Sequence, residues 1–165
     1  MDEILKLLEA DATLTPEMLA KMCRKDVGDI RAAVEEWEKT GVILGRRTLV
    51  DWERAGEEKV RAMIEVKINH KGAYAYDKLA QKIRNYPEVK SLYLMSGAYD
   101  FLVIVEGRSL KDVAFFVGDK LSSHEMVTST ATHFVLNTYK ENHVLFKVPE
   151  GDERIADLLY PHQRR

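Results

Sequence analysis

Apolar positions along the chain follow two different periods, and the change falls near Val60. From residue 2 to Gly41 the spacing is helical. Ile4, Leu5, Leu7 and Leu8 share one broad face within residues 2–10. Thr15-Pro16-Glu17 predicts an N-cap followed by proline at the first helical position, opening a helix that holds Met18, Leu19 and Met22. A third helix is expected from Asp26, with Val27, Ile30, Val34 and Trp37 at offsets of 3, 4 and 3, and Gly41 is placed to end it. Val42-Ile43-Leu44 and Thr48-Leu49-Val50 flank Gly45-Arg46-Arg47, which predicts a small β-wing. Three short helices and a wing make the order of a winged helix-turn-helix. A small helical bundle with no nucleic-acid partner fits the same pattern.

Beyond a charged linker, Trp52 to Glu58, the period becomes two. Ala62, Ile64, Val66 and Ile68 alternate with Met63, Glu65 and Lys67. Tyr76, Leu79, Ala80 and Ile83 form a helical stripe closed by Tyr86-Pro87. Two short apolar runs follow, then a second helical stripe of Leu110, Val113, Ala114, Val117 and Leu121, then a long strand from Val127 to Leu136. Strand, helix, strand, strand, helix, strand is the ferredoxin-like βαββαβ order, so the predicted fold class is α+β with an antiparallel sheet. Val144-Leu145-Phe146 is a further extended segment, expected to pair with a sheet edge or a neighbouring subunit. The expected division is residues 1–51 for the winged helix-turn-helix, 52–58 for the linker, 59–148 for the ferredoxin-like domain and 149–165 for a tail. In the tail, Ile155, Leu158 and Leu159 fit one short helical face or a frayed end.

The centre of the second region is the hairpin Lys90 to Gly107. Leu92–Met95 and Phe101–Val105 flank Ser96-Gly97-Ala98-Tyr99-Asp100, which reads as two strands joined by a tight turn. Tyr99, Phe101, Val103 and Val105 point one way, and Leu102 and Ile104 the other. A strand apolar on both faces is covered on both. The domain's own helices supply one cover, and a second copy of the sheet is the simplest supply of the other.

Charge and composition narrow the partners. The net charge of the 165-residue chain is −2, which does not by itself advertise nucleic acid or membrane. Residues 1–58 hold nine Lys and Arg against fourteen Asp and Glu, a net of −5, while the remainder carries +3. Sequence-independent DNA affinity depends on neutralising phosphates, so the helix-turn-helix has the wrong overall sign for a strong isolated binder. Its basic residues are clustered, however: Arg24, Lys25 and Arg31 around the turn and the third helix, Arg46 and Arg47 at the wing tip. The single cysteine, Cys23, excludes an internal disulfide and fits a cytoplasmic location. The acidic N-terminal segment is too short in apolar length for a signal peptide or a membrane span.

Catalytic readings find little support. His70, His124, His133, His143 and His162 show no metal-ligand spacing, and no glycine-rich phosphate loop is present, so no metal, cofactor or enzymatic activity is expected. Asp100 reads as a turn-capping carboxylate or as a contact for a ligand's ammonium. Thr128, Thr130 and Thr132 share one face of the last strand, read as an inner strand, either from β-propensity alone or as hydroxyls for a ligand's carboxylate and ammonium.

Taken together the two halves resemble the leucine-responsive/asparagine regulator (Lrp/AsnC) family of bacterial and archaeal transcription factors. Gly41-Val42-Ile43 matches the end of the family's recognition helix, and Gly97-Ala98-Tyr99-Asp100 its Gly-x-Tyr-Asp turn. Val127 with Thr130, Thr132 and Val135-Leu136 matches the last strand, with Lys140 near the closing lysine. The resemblance spans roughly residues 2 to 147. It implies a regulator that binds double-stranded DNA, dimerises through the C-terminal sheet, commonly assembles to octamers, and binds an amino acid between subunits. Carried over by position, the effector residues are Gly97, Ala98, Tyr99, Asp100, Thr130 and Thr132. The DNA-contacting residues are Arg24, Lys25, Arg31, Arg46 and Arg47. The third helix is acidic where relatives are basic or Ser/Thr-rich, and an amino-acid-binding oligomer that no longer reads DNA is the alternative function.

Overall fold

The computed structural model describes residues 2–69 and 74–146, and the chain divides into two units, residues 1–50 and 51–165. The first unit is three helices, α1 (Asp2–Ala10), α2 (Pro16–Cys23) and α3 (Val27–Thr40). Local chemistry sets their ends. The Thr15 hydroxyl oxygen accepts from the Met18 N–H at 3.3 Å, and Pro16 follows at the first helical position, where its missing N–H costs nothing. Arg24 ends α2 in the left-handed region at φ 53°. The Asp26 carboxylate caps α3 by accepting from the Gly28 N–H at 2.7 Å. A Cβ on Gly28 would come within 2.9 Å of that carboxylate oxygen, so glycine leaves the room the cap needs. Gly41 closes α3 at φ 75°.

Ile4, Leu19, Ile30, Val34 and Trp37 form the core of this unit. Met18, Met22 and Val27, expected on the apolar stripes, face outward instead, at 48%, 52% and 36% exposure. With only eight residues, α2 turns a narrow face to its neighbours, and Leu19 fills it. The expected β-wing differs as well. Residues 42–50 carry no strand ladder, although the Ile43 N–H donates to the Trp37 carbonyl and ties the segment to α3. A two-stranded ribbon with no third strand or helix beneath it is marginal, and here Leu44 stands 94% exposed.

The second unit contains β1 (Val60–Ile68), α4 (Tyr74–Ile83), β2 (Val89–Leu94), β3 (Phe101–Gly107), α5 (Leu110–Phe115) continuing into a π-helical turn at Phe116–Leu121, and β4 (Val127–Phe134). The four strands pair antiparallel in the order β2-β3-β1-β4, the ferredoxin-like arrangement that the alternation predicts. Helix residues Leu79, Ile83, Val113, Phe116 and Leu121 pack with Ala62, Ile64, Val66, Phe101, Val103 and Val105 on one face of the sheet. Phe116 follows Val113 by three residues and so shares its core-facing side of the helix. The five-residue step from Phe116 to Leu121 fits i to i+5 spacing and re-aims the stripe expected from a regular helix.

Two expectations are corrected. The threonine strand β4 is an edge strand, not an inner one, because β1 takes the centre beside β3. Val144–Leu145 (β6) pairs locally with Lys140–Glu141 (β5) rather than with the main sheet. Asn142 and His143, at φ 45° and 67°, make the tight turn between them. The expected helical face of Ile155, Leu158 and Leu159 lies outside the described residues, as do His70 and His162.

The loop before β4 gives the fold a pH dependence. Burial, and then the charge of Lys82, holds the His124 imidazole below its ordinary pKa, and its Nε2 is buried without a hydrogen-bond partner. The unfolded chain therefore binds more protons at this residue than the folded one. The contribution of the neutral ring is present above the unfolded pKa and is lost as pH falls toward the depressed folded one. Thermal unfolding between about pH 7 and 5 is expected to show falling stability, with a flatter profile for His124→Gln.

Candidate functional site

Of the expected effector residues, Gly97, Ala98, Tyr99 and Asp100 lie at one end of the sheet, where β1 ends and β3 begins, while Thr130 and Thr132 lie on the edge strand β4, across β1 from β3. The connection from β2 to β3 closes through the Met95 N–H donating to the Asp100 carbonyl at 2.8 Å. The Asp100 N–H donates to the Val66 carbonyl at 3.0 Å, which pins the turn to β1. The Asp100 side chain completes the clamp. One carboxylate oxygen accepts from the Ile68 N–H at 2.8 Å and the other from the Tyr76 hydroxyl at 3.1 Å. Burial, followed by the Asp100 hydrogen bond and charge, pushes the Tyr76 phenol up, so it stays protonated and donating. Asp100 therefore joins three elements, β1, α4 and the turn, and is not a carboxylate confined to its own loop.

Gly97 and Ala98 are exposed at the turn, and Tyr99 is half-buried. A Cβ built on Gly97 meets nothing within 4 Å, and no positive φ holds glycine there. Within one subunit, then, neither sterics nor backbone conformation explains glycine at this position.

Thr130 pairs with Val66 and Thr132 with Ile64, so both threonines stand on the helix-covered side of the sheet, level with the turn and half-buried. The Thr130 hydroxyl lies 3.3 Å from the Ser122 hydroxyl. The Thr128 hydroxyl donates to the Lys67 carbonyl at 3.1 Å beside the irregular step in register at Lys67 and Ile68. Tyr76 and Ser122 escape sequence reasoning, since neither has a motif. The signal available was the position of Tyr76 on the apolar stripe of α4 with a hydroxyl to satisfy.

Among the described residues nothing covers the opposite face of the sheet. It presents Met63 and Tyr93, at 40% and 50% exposure, with half-buried Leu102 and Ile104. Charged pairs edge this patch. Arg61 donates to Glu106 at 2.8 Å and to Glu141 at 2.7 Å, and His133 lies 3.3 Å from Glu65. An apolar centre with a polar rim is the anatomy of a protein–protein interface.

In the first unit all five expected DNA-contacting residues, Arg24, Lys25, Arg31, Arg46 and Arg47, are exposed. Arg24 and Lys25 occupy the turn between α2 and α3. Arg31 sits in the N-terminal half of α3, the half that enters the major groove in a helix-turn-helix. Its guanidinium is engaged by Glu17 at 2.7 Å, and Arg46 by Glu38 at 2.6 Å. Among the described residues no group of three or more His, Cys, Asp or Glu could hold a metal ion, and no helix is long and apolar enough to cross a membrane.

Comparison with known proteins supplies the context for this geometry. Residues 61–145 match the model of the Lrp/AsnC ligand binding domain. An uncharacterized HTH-type transcriptional regulator of Bacillus subtilis, YugG, is 40% identical over 93% of both chains. Among solved structures, AsnC of E. coli covers 84% of this chain and 91% of its own, at a TM-score of 0.65 and 26% identity. A Neisseria meningitidis transcriptional regulator in complex with L-Met covers 90% of this chain and 93% of its own, at a TM-score of 0.68 and 25% identity.

Proposed function

Since the chain belongs to the Lrp/AsnC family and is a transcriptional regulator with a ligand-binding domain, we propose that it binds duplex DNA through α2 and α3 and is controlled by an amino acid. The effector sits between subunits at the β2–β3 turn. The observation that carries this reading is the turn itself. Asp100 fixes its backbone from three sides, yet Gly97 and Ala98 face open space in the subunit. A rigid, small-residue turn leaves room for a small ligand closed in by a neighbouring chain, and rigidity lowers the entropic cost of binding it. Exposed backbone N–H groups at Gly97 and Ala98 suit a carboxylate. The Asp100 carboxylate, with Tyr99 beside it, suits an ammonium by its negative charge. Thr130 and Thr132 offer hydroxyls from β4, the edge strand on the far side of β1. That the Neisseria relative was solved with L-Met supports an amino acid as the ligand class.

Assembly follows from the uncovered sheet face. Met63, Tyr93, Leu102 and Ile104 form a patch that a second copy covers with the same residues, giving a homodimer, and dimers associate into a larger assembly such as an octamer. DNA contact then falls to Arg31 at base edges and to Arg24, Lys25, Arg46 and Arg47 at phosphates. The acidic balance of the module supports the second reading, an amino-acid-binding oligomer that no longer selects DNA. Selection of duplexes from genomic fragments with the full chain at low salt, with and without a mixture of amino acids, separates the two. Enrichment of a defined sequence is expected. Recovery of no sequence in either condition leaves the amino-acid-binding oligomer.

A further inference from the structure

Two of the five basic residues available for DNA are already held by carboxylates of the same module. Glu17, in the first turn of α2, reaches across to Arg31 of α3, fourteen residues away in sequence, at 2.7 Å. Glu38, in the last turn of α3, holds Arg46 at 2.6 Å. All four side chains are roughly half exposed, so water and salt weaken both pairs and neither is a strong contributor to stability. Their geometry matters more than their strength. A carboxylate that engages a guanidinium occupies the same donor fork that would engage a phosphate or a guanine edge. The Glu17 carboxyl is held below the usual carboxylate range by its own backbone N–H, then by the Thr15 hydroxyl and Arg31, so it remains an anion under ordinary conditions.

We propose that Glu17 and Glu38 are positioning residues that hold Arg31 and Arg46 off DNA until the assembly presents several modules at once, an inference that rests on the DNA-binding reading above. Each arginine must leave its carboxylate before it meets the duplex, and the carboxylate left behind then faces phosphates. The penalty per module is small. A lone module carries it uncompensated, whereas in an assembly the later contacts are made at high effective concentration, which offsets it. A single module is thereby kept below useful affinity, while a rigid assembly with several modules in register exceeds it. Glu17 of α2 and Glu38 of α3 then act together as a threshold device that makes DNA binding conditional on assembly.

The test uses the full chain. Binding to an unrelated duplex of fixed length is measured by fluorescence anisotropy across a salt series for the parent, Glu17→Gln and Glu38→Gln. Glu36→Gln serves as the control for simple loss of negative charge, since Glu36 lies on α3 with no ion pair among the described residues. Each paired substitution is expected to tighten binding about two- to five-fold per module, or about ten-fold for a dimer with both modules engaged. On this unrelated duplex, where no base edge is selected and both arginines meet phosphates, the plot of log affinity against log salt steepens by about 0.9 for each arginine released. A merely structural role would not move that slope. In the Arg31→Gln background, Glu17→Gln is expected to do no more than Glu36→Gln does. Unchanged slopes, or an equal gain in the Arg31→Gln background, overturn the proposal while a parent that binds DNA keeps the wider reading intact. A parent that binds no duplex at low salt overturns both.

Discussion

Ile104→Glu is expected to convert the assembly into monomers and to lower DNA affinity by about 10²- to 10⁴-fold while each subunit keeps its secondary structure. Ile104 lies on β3 opposite Met63 of β1, on the sheet face that the helices do not cover. The core of the subunit uses the other side of the same strand, Phe101, Val103 and Val105, so a charge at 104 does not enter it. In a two-fold interface the same patch meets itself, so one substitution buries two carboxylates with no cation provided for them. The acidic module makes the second half of the prediction. A monomer brings one module with a net of −5 across residues 1–58, and the avidity that offsets this charge is gone. Light scattering reads the first part, circular dichroism the second and a gel shift at low salt the third. A dimeric Ile104→Glu removes the sheet face as the interface. A monomeric variant that holds DNA as tightly as the parent removes the dependence on assembly.

At the turn, Asp100→Ala and Asp100→Asn are expected to differ. Alanine leaves the Ile68 N–H and the Tyr76 hydroxyl without their acceptor. Orphaning the part-buried Ile68 N–H alone costs about 2 kcal/mol. The turn loosens, and effector binding is lost together with stability. Asparagine has the same shape and keeps one acceptor oxygen for the Ile68 N–H, while its amide can donate to the Tyr76 oxygen. The clamp is then retained and only the negative charge is removed. If that charge meets an amino-acid ammonium, Asp100→Asn weakens binding by about 1.5–3 kcal/mol, roughly 10- to 100-fold, with little change in melting temperature. Calorimetry across the common amino acids measures it. Equal binding by parent and Asp100→Asn would reduce Asp100 to a clamp, and a parent that takes up no amino acid would remove the effector.

The fold was legible in the sequence wherever periodicity was long and caps were local. Thr15-Pro16, Asp26 and Gly41 act within a few residues of themselves, so the boundaries of α2 and α3 follow from short-range chemistry alone. The alternation of β1 and the doubly apolar β3 likewise predict a sheet with one face on the subunit's helices and the other for a second copy to cover, because side chains alternate faces whatever the strand pairs with. The regulator family was legible through the turn Gly97 to Asp100 and the last strand.

What only tertiary structure decided were matters of which distant groups meet. Strand order is not encoded in any local pattern, and it placed Thr130 and Thr132 on an edge strand. Whether an apolar run closes into a wing depends on what it packs against, and of residues 42–50 Ile43 alone joins the core of the unit while Leu44 is fully exposed. The π turn puts two core residues, Phe116 and Leu121, five positions apart, a step the regular helical period does not contain. Asp100 changed from a turn residue to a clamp because Tyr76, 24 positions earlier, and the end of β1 are brought beside it. The charge count of the first 58 residues was plain in the sequence, but which carboxylate holds which arginine was not. An ion pair is set by a few ångströms between side chains, and only the packing of α2 against α3 brings Glu17 to Arg31.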